Sequence, residues 1–293
     1  MTLIRFALVG CGNIGLRHAE LIQSFGKLIA VCDTVPEKAQ DFGNRFKVPF
    51  HTDLSVMLDT EEGIDVVVIC TPNGLHASQA IRAFEKNCHV LVEKPMALSV
   101  QDCNRMIQSA NTAGKQLFTV MQNRFNPPVM AVKQALDQNA FGKISSIQLT
   151  CFWNREAAYY ADSWRGSLAL DGGVLFTQFS HFIDLLLWLF GEVVQVEAYT
   201  QNADHKGIIA FEDVGVVILR FANGILGTLH FSVNSFGKNR EGSLAILGTK
   251  GIAKIGGTYL NTIEYQDFAD YSLSVPETVS APNDYGSYQG SMR

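Results

Sequence analysis

The sequence predicts an α/β protein with two domains, and three features of the chain support this. Its 293 residues are too many for one ordinary α/β core and suit two, and 47% hydrophobic residues is typical of globular proteins. Up to residue 122, short apolar runs alternate with amphipathic stretches, whereas one helix pattern and then many strand patterns follow residue 124. We therefore predict a doubly wound parallel sheet in residues 1–122 and an α+β domain with a large, mostly antiparallel open sheet in residues 123–293.

The first domain contains five short apolar runs of the kind that parallel strands form when both faces of the sheet are buried. A helix pattern between two of them, residues 100–113, begins after Ser99 as N-cap and ends at Gly114. This βαβ succession is typical of a doubly wound sheet. The predicted strands are residues 4–9, 28–32, 66–70, 90–92 and 117–120.

The second domain begins with a helix pattern at residues 128–139 and continues with longer strand patterns. A helix followed by a run of strands predicts a mostly antiparallel sheet with helices on one face. The predicted strands are residues 144–152, 193–200, 214–221, 224–233 and 243–247.

Composition argues against several classes of partner. The formal net charge is -5 and no basic run could neutralise a row of phosphates, so we expect no nucleic-acid partner. No apolar run approaches the ~20 residues of a membrane span, and the chain enters a strand pattern soon after Met1. We therefore expect a cytoplasmic protein with no membrane partner. The six cysteines lie far apart without CxxC spacing, so we expect buried thiols and no metal site.

A glycine-rich loop follows the first predicted strand and opens a helix. In that context Gly10 makes the tight turn, Gly12 lets the backbone approach a pyrophosphate, and Gly15 lets helix and strand pack closely. The loop residues expected to contact a dinucleotide are Gly10, Gly12, Asn13, Ile14 and Gly15.

An acidic residue, Asp33, ends the second predicted strand 18 positions after Gly15. A carboxylate there can accept hydrogen bonds from both ribose hydroxyls of an adenosine and would repel a 2′-phosphate. Because Thr34 rather than an arginine follows it, NAD is favoured over NADP as the cofactor.

Two further polar segments follow predicted strands of the first domain. Thr71, Pro72, Asn73 and His76 come after the strand at 66–70. Glu93, Lys94 and Pro95 come after the strand at 90–92. Because ligands of α/β sheets bind at the carboxyl ends of the strands, both segments are candidates for a site.

A third candidate segment lies in the second domain. Thr177, His181 and Asp184 are spaced i, i+4 and i+7, which predicts that one face of one helix carries all three. A histidine suits proton transfer near neutral pH, although a lone histidine on an apolar helix is more often a core residue.

Together these motifs resemble the Gfo/Idh/MocA family of sugar and cyclitol oxidoreductases along essentially the whole chain. The resemblance implies a Rossmann domain that binds NAD, and a C-terminal domain whose open sheet often forms a homo-oligomer. It further implies that Lys94 and His181 are catalytic and lie beside the substrate carbinol, and that Gln122 lines the nicotinamide and substrate site. We expect His181 to accept the proton while Lys94 holds the hydroxyl, or the reverse.

The sequence departs from the family pattern at Thr177, where most relatives carry aspartate. This resembles members that act on nucleotide sugars, the UDP-N-acetylglucosamine and UDP-N-acetylglucosaminuronate 3-dehydrogenases. The resemblance extends to a cluster of arginine and aromatic residues: Trp153, Arg155, Tyr159, Tyr160, Trp164 and Arg165. Arginine can bind the oxygens of a diphosphate and an aromatic ring can stack on a base, although such clusters also fill cores. The expected substrate-binding residues are Lys94, Arg124, Arg155, Tyr159, Thr177 and His181, and Trp164 and Arg165 join the cofactor-binding residues.

Two alternative functions and one question about the fold stay open on the sequence. The substrate could be a free sugar or a cyclitol such as myo-inositol. The protein could also be a sensor that binds the dinucleotide without turnover, although a sensor does not need the pair Lys94 and His181. Residues 282–292 resemble a segment that precedes a further helix in relatives, and the sequence ends at Arg293. Either that element is missing or the fold closes differently.

Overall fold

The computed structural model describes residues 3–161 and 163–275, and the chain divides into two compact units. The first unit comprises Met1–Val120 together with the short segment Ala169–Gly172. The second comprises Met121–Leu168 and Gly173–Arg293.

The first unit contains a six-stranded sheet in which every pair of neighbouring strands is parallel. Its strands are β1 (Arg5–Val9), β2 (Lys27–Cys32), β3 (Phe50–His51), β4 (Val66–Ile69), β5 (His89–Val92) and β6 (Leu117–Thr119). Its helices are α1 (Asn13–Phe25), α2 (Pro36–Phe46), α3 (Leu54–Thr60), α4 (His76–Glu85) and α5 (Val100–Ala113), with a 3-10 turn at Asn73–Leu75. The strand order β3-β2-β1-β4-β5-β6 confirms the predicted doubly wound sheet.

Local chemistry fixes where the elements of this unit begin and end. Ser99 Oγ accepts a hydrogen bond from Asp102 N at 3.0 Å, and Gly114 closes α5 with a φ of 62°. Both ends of this helix confirm the sequence prediction. Residues of β1, β4 and β5 such as Ala7, Val67 and Val90 are fully buried, which explains the continuous apolar runs.

The second unit contains a seven-stranded sheet of order β13-β12-β11-β7-β10-β9-β8. Its strands are β7 (Ile144–Phe152), β8 (Val193–Gln201), β9 (Val214–Phe221), β10 (Leu226–Ser232), β11 (Glu241–Gly248), β12 (Gly251–Gly256) and β13 (Thr262–Phe268). Its helices are α6 (Pro127–Asp137), α7 (Ala157–Tyr160), α8 (Val174–Thr177) and α9 (Ser180–Phe190), with a 3-10 turn at Gln122–Phe125. Only β7 and β10 pair in parallel among these strands, so the mostly antiparallel sheet is confirmed.

One face of this sheet is buried, and the other is open along β8, β9 and β10. Helix α9 packs its apolar side chains, among them Phe182 and Leu186, into a core shared with sheet residues such as Leu149 and Leu244. On the opposite face of β9, side chains alternate with the buried ones and Ile218 is 54% exposed.

The helix predicted to carry three polar residues is not continuous, so that prediction is wrong. Thr177 ends α8, whereas His181 and Asp184 belong to α9. At the junction, Phe179 N bonds to Val174 O, five residues back, and the Phe179 ring is fully buried against Trp153. Burying two aromatic rings, Phe179 and Phe182, interrupts the regular turn and leaves Gln178 between the two helices.

Among the described residues, no helix is long and apolar enough to cross a membrane. Residues 282–292, which resemble a segment that precedes a further helix in relatives, lie outside the described residues.

Candidate active site

The glycine-rich loop has the shape that a pyrophosphate requires. A Cβ on Gly10, whose φ is +97°, would lie 2.5 Å from Cys70 O, and one on Gly15 would lie 2.0 Å from Gly10 O. A Cβ on Gly12 would meet no described atom within 4 Å, so this side of the loop is open. Gly12 is also the N-cap of α1 and supplies no capping side chain. The first backbone N–H groups of α1 are therefore available to an anion, and the loop fits a dinucleotide.

Asp33 holds the glycine-rich loop in place. Its Oδ2 accepts a hydrogen bond from Cys11 N at 2.8 Å, and its Oδ1 accepts one from Val35 N at 2.9 Å. Sequence reasoning predicted the carboxylate for ribose recognition and missed this second task. The partly exposed carboxylate retains acceptor capacity, since each oxygen has two lone pairs.

The segment after β4 is tied to residues 169–172 of the same unit. The Asn73 amide donates to Asp171 O at 2.8 Å, and Gly74 N donates to Leu170 O at 3.0 Å. A Cβ on Gly74 would lie 2.1 Å from Ala169 O, so only glycine permits this approach. Pro72 is the N-cap residue of the 3-10 turn, and the Thr71 hydroxyl donates to Gln79 Oε1 at 2.6 Å.

His76 is fully buried and connects two loops. Its Nδ1 lies 2.8 Å from Pro95 O and its Nε2 lies 3.0 Å from Thr71 O. Burial lowers the pKa of His76, and the hydrogen bonds to the two carbonyls partly oppose that shift. The ring therefore supports the loops after β4 and β5, and the predicted contact with the cofactor stays untested.

The Glu93-Lys94-Pro95 segment after β5 is held by a histidine that sequence reasoning missed. His18 of α1 is fully buried, and its Nε2 lies 2.8 Å from Glu93 Oε1. Glu93 Oε2 accepts a hydrogen bond from Lys94 N at 3.1 Å. The buried carboxylate thus links α1 to the backbone of the half-buried Lys94. The available signal was a polar residue three positions after Gly15 on the apolar face of the first helix.

In the second unit, an arginine is fixed entirely by neutral groups. Arg155 Nε and Nη2 donate to Gln178 Oε1 at 2.9 and 2.5 Å, and Nη1 donates to Asn154 O and Asn239 Oδ1. Its guanidinium lies over the rings of Trp153 and Tyr159, with centroid distances of 5.2 and 5.1 Å.

A second arginine stacks on the same tyrosine. Arg165 lies 4.7 Å from the Tyr159 ring centroid and 5.1 Å from that of Trp164. Its Nη1 donates to Ser163 Oγ at 3.3 Å, and its buried Nε has no hydrogen-bond partner among the described residues. Within the described chain, neither Arg155 nor Arg165 has a carboxylate within 4.0 Å.

Arg124, also predicted to bind substrate, differs because its charge is balanced. Its Nε and Nη2 donate to the two carboxylate oxygens of Asp184 at 2.7 and 2.5 Å. The hydrogen bond to Asp184 raises the pKa of Arg124, and the ring of Trp188 lies 5.3 Å away. This bidentate pair anchors the Gln122–Phe125 turn to α9.

The other predicted residues of this unit lie in α8, in α9 and in the 3-10 turn at Gln122–Phe125. His181 is buried on α9 and Thr177 is half-buried at the end of α8. Gln122 is buried in the 3-10 turn, and its Oε1 has no hydrogen-bond partner in the part of the chain that is described. Such a buried acceptor is a candidate for ligand contact.

A buried acidic residue, Asp213, is linked through His205 to the backbone carbonyl of Arg155. His205 Nδ1 lies 3.0 Å from Asp213 Oδ2, and His205 Nε2 lies 2.7 Å from Arg155 O. Burial alone would raise the pKa of Asp213, but hydrogen bonds from the backbone of Ala203 and Asp204 and from His205 lower it. Among the described residues, no group of three or more His, Cys, Asp or Glu could hold a metal ion.

Comparison with known proteins identifies the family. Residues 4–121 match the model of the oxidoreductase family with an NAD-binding Rossmann fold, and residues 129–254 match the GFO/IDH/MocA C-terminal domain. The chain belongs to the Gfo/Idh/MocA family. The predicted family and its NAD cofactor are thereby confirmed.

Two solved members of the family are similar over most of this chain. The WlbA dehydrogenase from Chromobacterium violaceum, in complex with NADH and UDP-GlcNAcA, is 38% identical with a TM-score of 0.88, covering 93% of this chain and 79% of its own. The WlbA dehydrogenase from Bordetella pertussis, in the same complex, is 39% identical with a TM-score of 0.89, covering 92% and 79%.

A curated relative acts on a different kind of ring. The 1-carboxy-3-chloro-3,4-dihydroxycyclo hexa-1,5-diene dehydrogenase of Comamonas testosteroni is 32% identical over 78% of this chain. This chain spans 58% of that relative's length. Similarity within the family therefore does not determine the substrate.

Proposed function

We propose that this protein is an NAD-dependent dehydrogenase of an anionic nucleotide sugar, acting at C3 of a UDP-N-acetylhexosamine or its uronate. The observation that carries the proposal is the pair Arg155 and Arg165 on one tyrosine ring, without a carboxylate partner among the described residues. Two neighbouring positive charges repel each other, so an arrangement of this kind favours a bound anion.

The chemistry of this cluster suits a nucleotide sugar. A guanidinium binds phosphate or carboxylate oxygens bidentately, and tyrosine and tryptophan rings stack on a sugar or a base. The two WlbA dehydrogenases were solved with a ligand of this class, which carries a diphosphate and a uronate. A neutral free sugar would leave both guanidinium charges without a counter-ion.

Proton handling falls to Lys94 and His181 in this proposal. Bound NAD would supply the hydride acceptor, and Gly12, Asp33 and the start of α1 would hold it. The substrate hydroxyl loses its proton as the hydride leaves, which requires a base within hydrogen-bond reach. His181 is the proposed proton acceptor, and the Lys94 ammonium would stabilise developing oxyanion character.

Turnover with a panel of substrates tests the proposed function. NAD is mixed with the protein and with UDP-GlcNAcA, UDP-N-acetylglucosamine, myo-inositol or aldoses, and the absorbance of reduced cofactor is followed. We expect turnover with UDP-GlcNAcA at a kcat/KM at least ~100-fold above that with any neutral sugar, because the two guanidinium contacts contribute ~1.5–3 kcal/mol each. Faster turnover of myo-inositol or an aldose would contradict the proposal.

Replacing the arginines tests the site itself. Arg155→Ala and Arg165→Ala should each raise the KM for UDP-GlcNAcA by ~10-fold or more, while the KM for NAD stays close to that of the parent. Arg105→Ala, on the exposed side of α5, is the control and should change neither KM. If both variants keep the parent KM values for both ligands, the arginines are structural and the nucleotide-sugar assignment loses its support.

We further propose that the open face of the second sheet forms a homo-oligomer. Val216 and Ile218 of β9 and Leu226 of β10 are each at least 46% exposed, and Tyr199 of β8 is 89% exposed. An apolar patch of this kind marks an interaction surface. Light scattering should give a mass above 32.2 kDa for the parent, and Ile218→Glu should lower it. A monomeric parent would contradict this proposal.

A further inference from the structure

Gln178 fixes Arg155 with an acceptor that carries no charge. Its Oε1 accepts two hydrogen bonds from Arg155, at 2.9 and 2.5 Å, and its Nε2 donates to the Tyr159 hydroxyl at 2.8 Å. Gln178 is buried, with 6% of its surface exposed. A carboxylate is the usual bidentate acceptor for arginine and would neutralise its charge, whereas a carboxamide leaves that charge intact.

The other acceptors of Arg155 are neutral as well. Asn154 O and Asn239 Oδ1 take the hydrogen bonds of Nη1 at 2.5 and 3.1 Å. The contrast with Arg124 is informative, because there the same two nitrogens, Nε and Nη2, meet the charged oxygens of Asp184. The chain therefore fixes Arg124 through the carboxylate of Asp184 and Arg155 through the carboxamide of Gln178.

We infer that Gln178 is a specificity-determining residue that positions Arg155 without neutralising it. The inference rests on the proposed function and assigns the basis of its selectivity for anionic sugars. Arg155 and Arg165 would then present two full positive charges beside Tyr159 to phosphate or carboxylate groups of the substrate. Gln178 acts through Arg155, so it is a positioning residue, and it sets the charge that the substrate must carry.

The substitution Gln178→Glu tests this, because it retains the shape and the hydrogen bonds. One glutamate oxygen can accept both Arg155 bonds, and the other can accept a bond from the Tyr159 hydroxyl. Only the net charge of the cluster changes, from about +2 to about +1. The matched control is Gln134→Glu on the exposed side of α6, which introduces the same charge into the same unit.

Binding of UDP-GlcNAcA is measured by calorimetry on the NADH-loaded protein, and turnover is measured with NAD. For Gln178→Glu we expect an unchanged or raised Tm, a Kd and KM for UDP-GlcNAcA raised ~10-fold, and kcat and the KM for NAD within ~3-fold of the parent. Gln134→Glu should match the parent throughout. A purely structural glutamine would leave the KM of Gln178→Glu unchanged, and that result would overturn the inference.

A second measurement separates this inference from the proposed function. If the parent does not bind UDP-GlcNAcA, the proposed substrate is wrong, and tryptophan fluorescence still decides the role of Gln178. Trp164 is half-buried and lies against the Arg165 guanidinium, so iodide should quench Gln178→Glu about 2-fold less than the parent, while neutral acrylamide quenches both equally. Equal iodide quenching in Gln178→Glu and Gln134→Glu would overturn the inference on its own.

Discussion

Removing the imidazole of His18 should destabilise the first unit strongly. His18 is fully buried, and its Nε2 lies 2.8 Å from a carboxylate oxygen of Glu93, which is 7% exposed. A hydrogen bond to a charged group contributes ~1.5–3 kcal/mol, and breaking a buried pair by removing one partner costs ~3–5 kcal/mol. We therefore expect His18→Ala to lower the free energy of unfolding by about 3 kcal/mol.

Glu20 on the exposed side of the same helix provides the control. Its carboxylate pairs with Arg45, and both side chains are about half exposed. Because exposed ion pairs contribute ~0–1 kcal/mol, Glu20→Ala should shift the urea midpoint only slightly. The assay is urea unfolding of the cofactor-free protein, followed by far-UV circular dichroism.

A double-mutant cycle isolates the contact between His18 and Glu93. Glu93→Gln retains the size of the side chain and removes its charge, so His18→Ala should cost less in that background by at least ~1 kcal/mol. Additive effects, or equal midpoints for His18→Ala and Glu20→Ala, would refute the assignment of a coupled buried pair. If His18→Ala is folded and has a lower kcat, the contact between His18 and Glu93 also positions Lys94.

Four further outcomes are expected. Asp33→Ala should raise the kcat/KM for NADP relative to NAD, because it removes the carboxylate that repels a 2′-phosphate; an unchanged ratio contradicts this. Lys94→Ala and His181→Ala should each lower kcat by ~10²-fold or more, and the double variant should lose less than the product of the two. Since burial lowers the pKa of His76, the unfolded chain binds more protons below pH 6.5, so stability should fall as pH falls below 6.5 and His76→Asn should flatten that slope. Burial raises the pKa of all six thiols, so a thiol reagent should modify the native protein far more slowly than the urea-unfolded one.

The sequence predicted most strands closely because hydrophobic periodicity reports burial directly. The strands at residues 144–152 and 214–221 have their predicted ends, and so does the helix at 100–113. The break between α8 and α9 could not be predicted in this way, since it depends on how Phe179 packs against residues distant in the chain. Periodicity alone favours one helix through 177–184, and tertiary packing overrides it.

The candidate site was predicted by residue type, whereas the role of each residue depends on its partners. Sequence motifs identified Arg124 and Arg155 alike as candidates for substrate binding. Only the structure separates them, because Asp184 balances the charge of Arg124, whereas the neutral Gln178 leaves the charge of Arg155 intact. These partners lie 60 and 23 positions away, beyond the reach of local patterns.

The buried histidines show why residue type alone does not assign a base. Both ring nitrogens of His76 face backbone carbonyls, and those of His205 face a carbonyl and a carboxylate. Protein oxygen atoms occupy the hydrogen-bonding position at both nitrogens of each ring, so neither ring presents an open nitrogen to a substrate hydroxyl. His18 is engaged by Glu93 at Nε2. These contacts assign structural tasks to His18, His76 and His205, whereas the role of His181 in proton transfer stays a proposal that the His181→Ala variant decides.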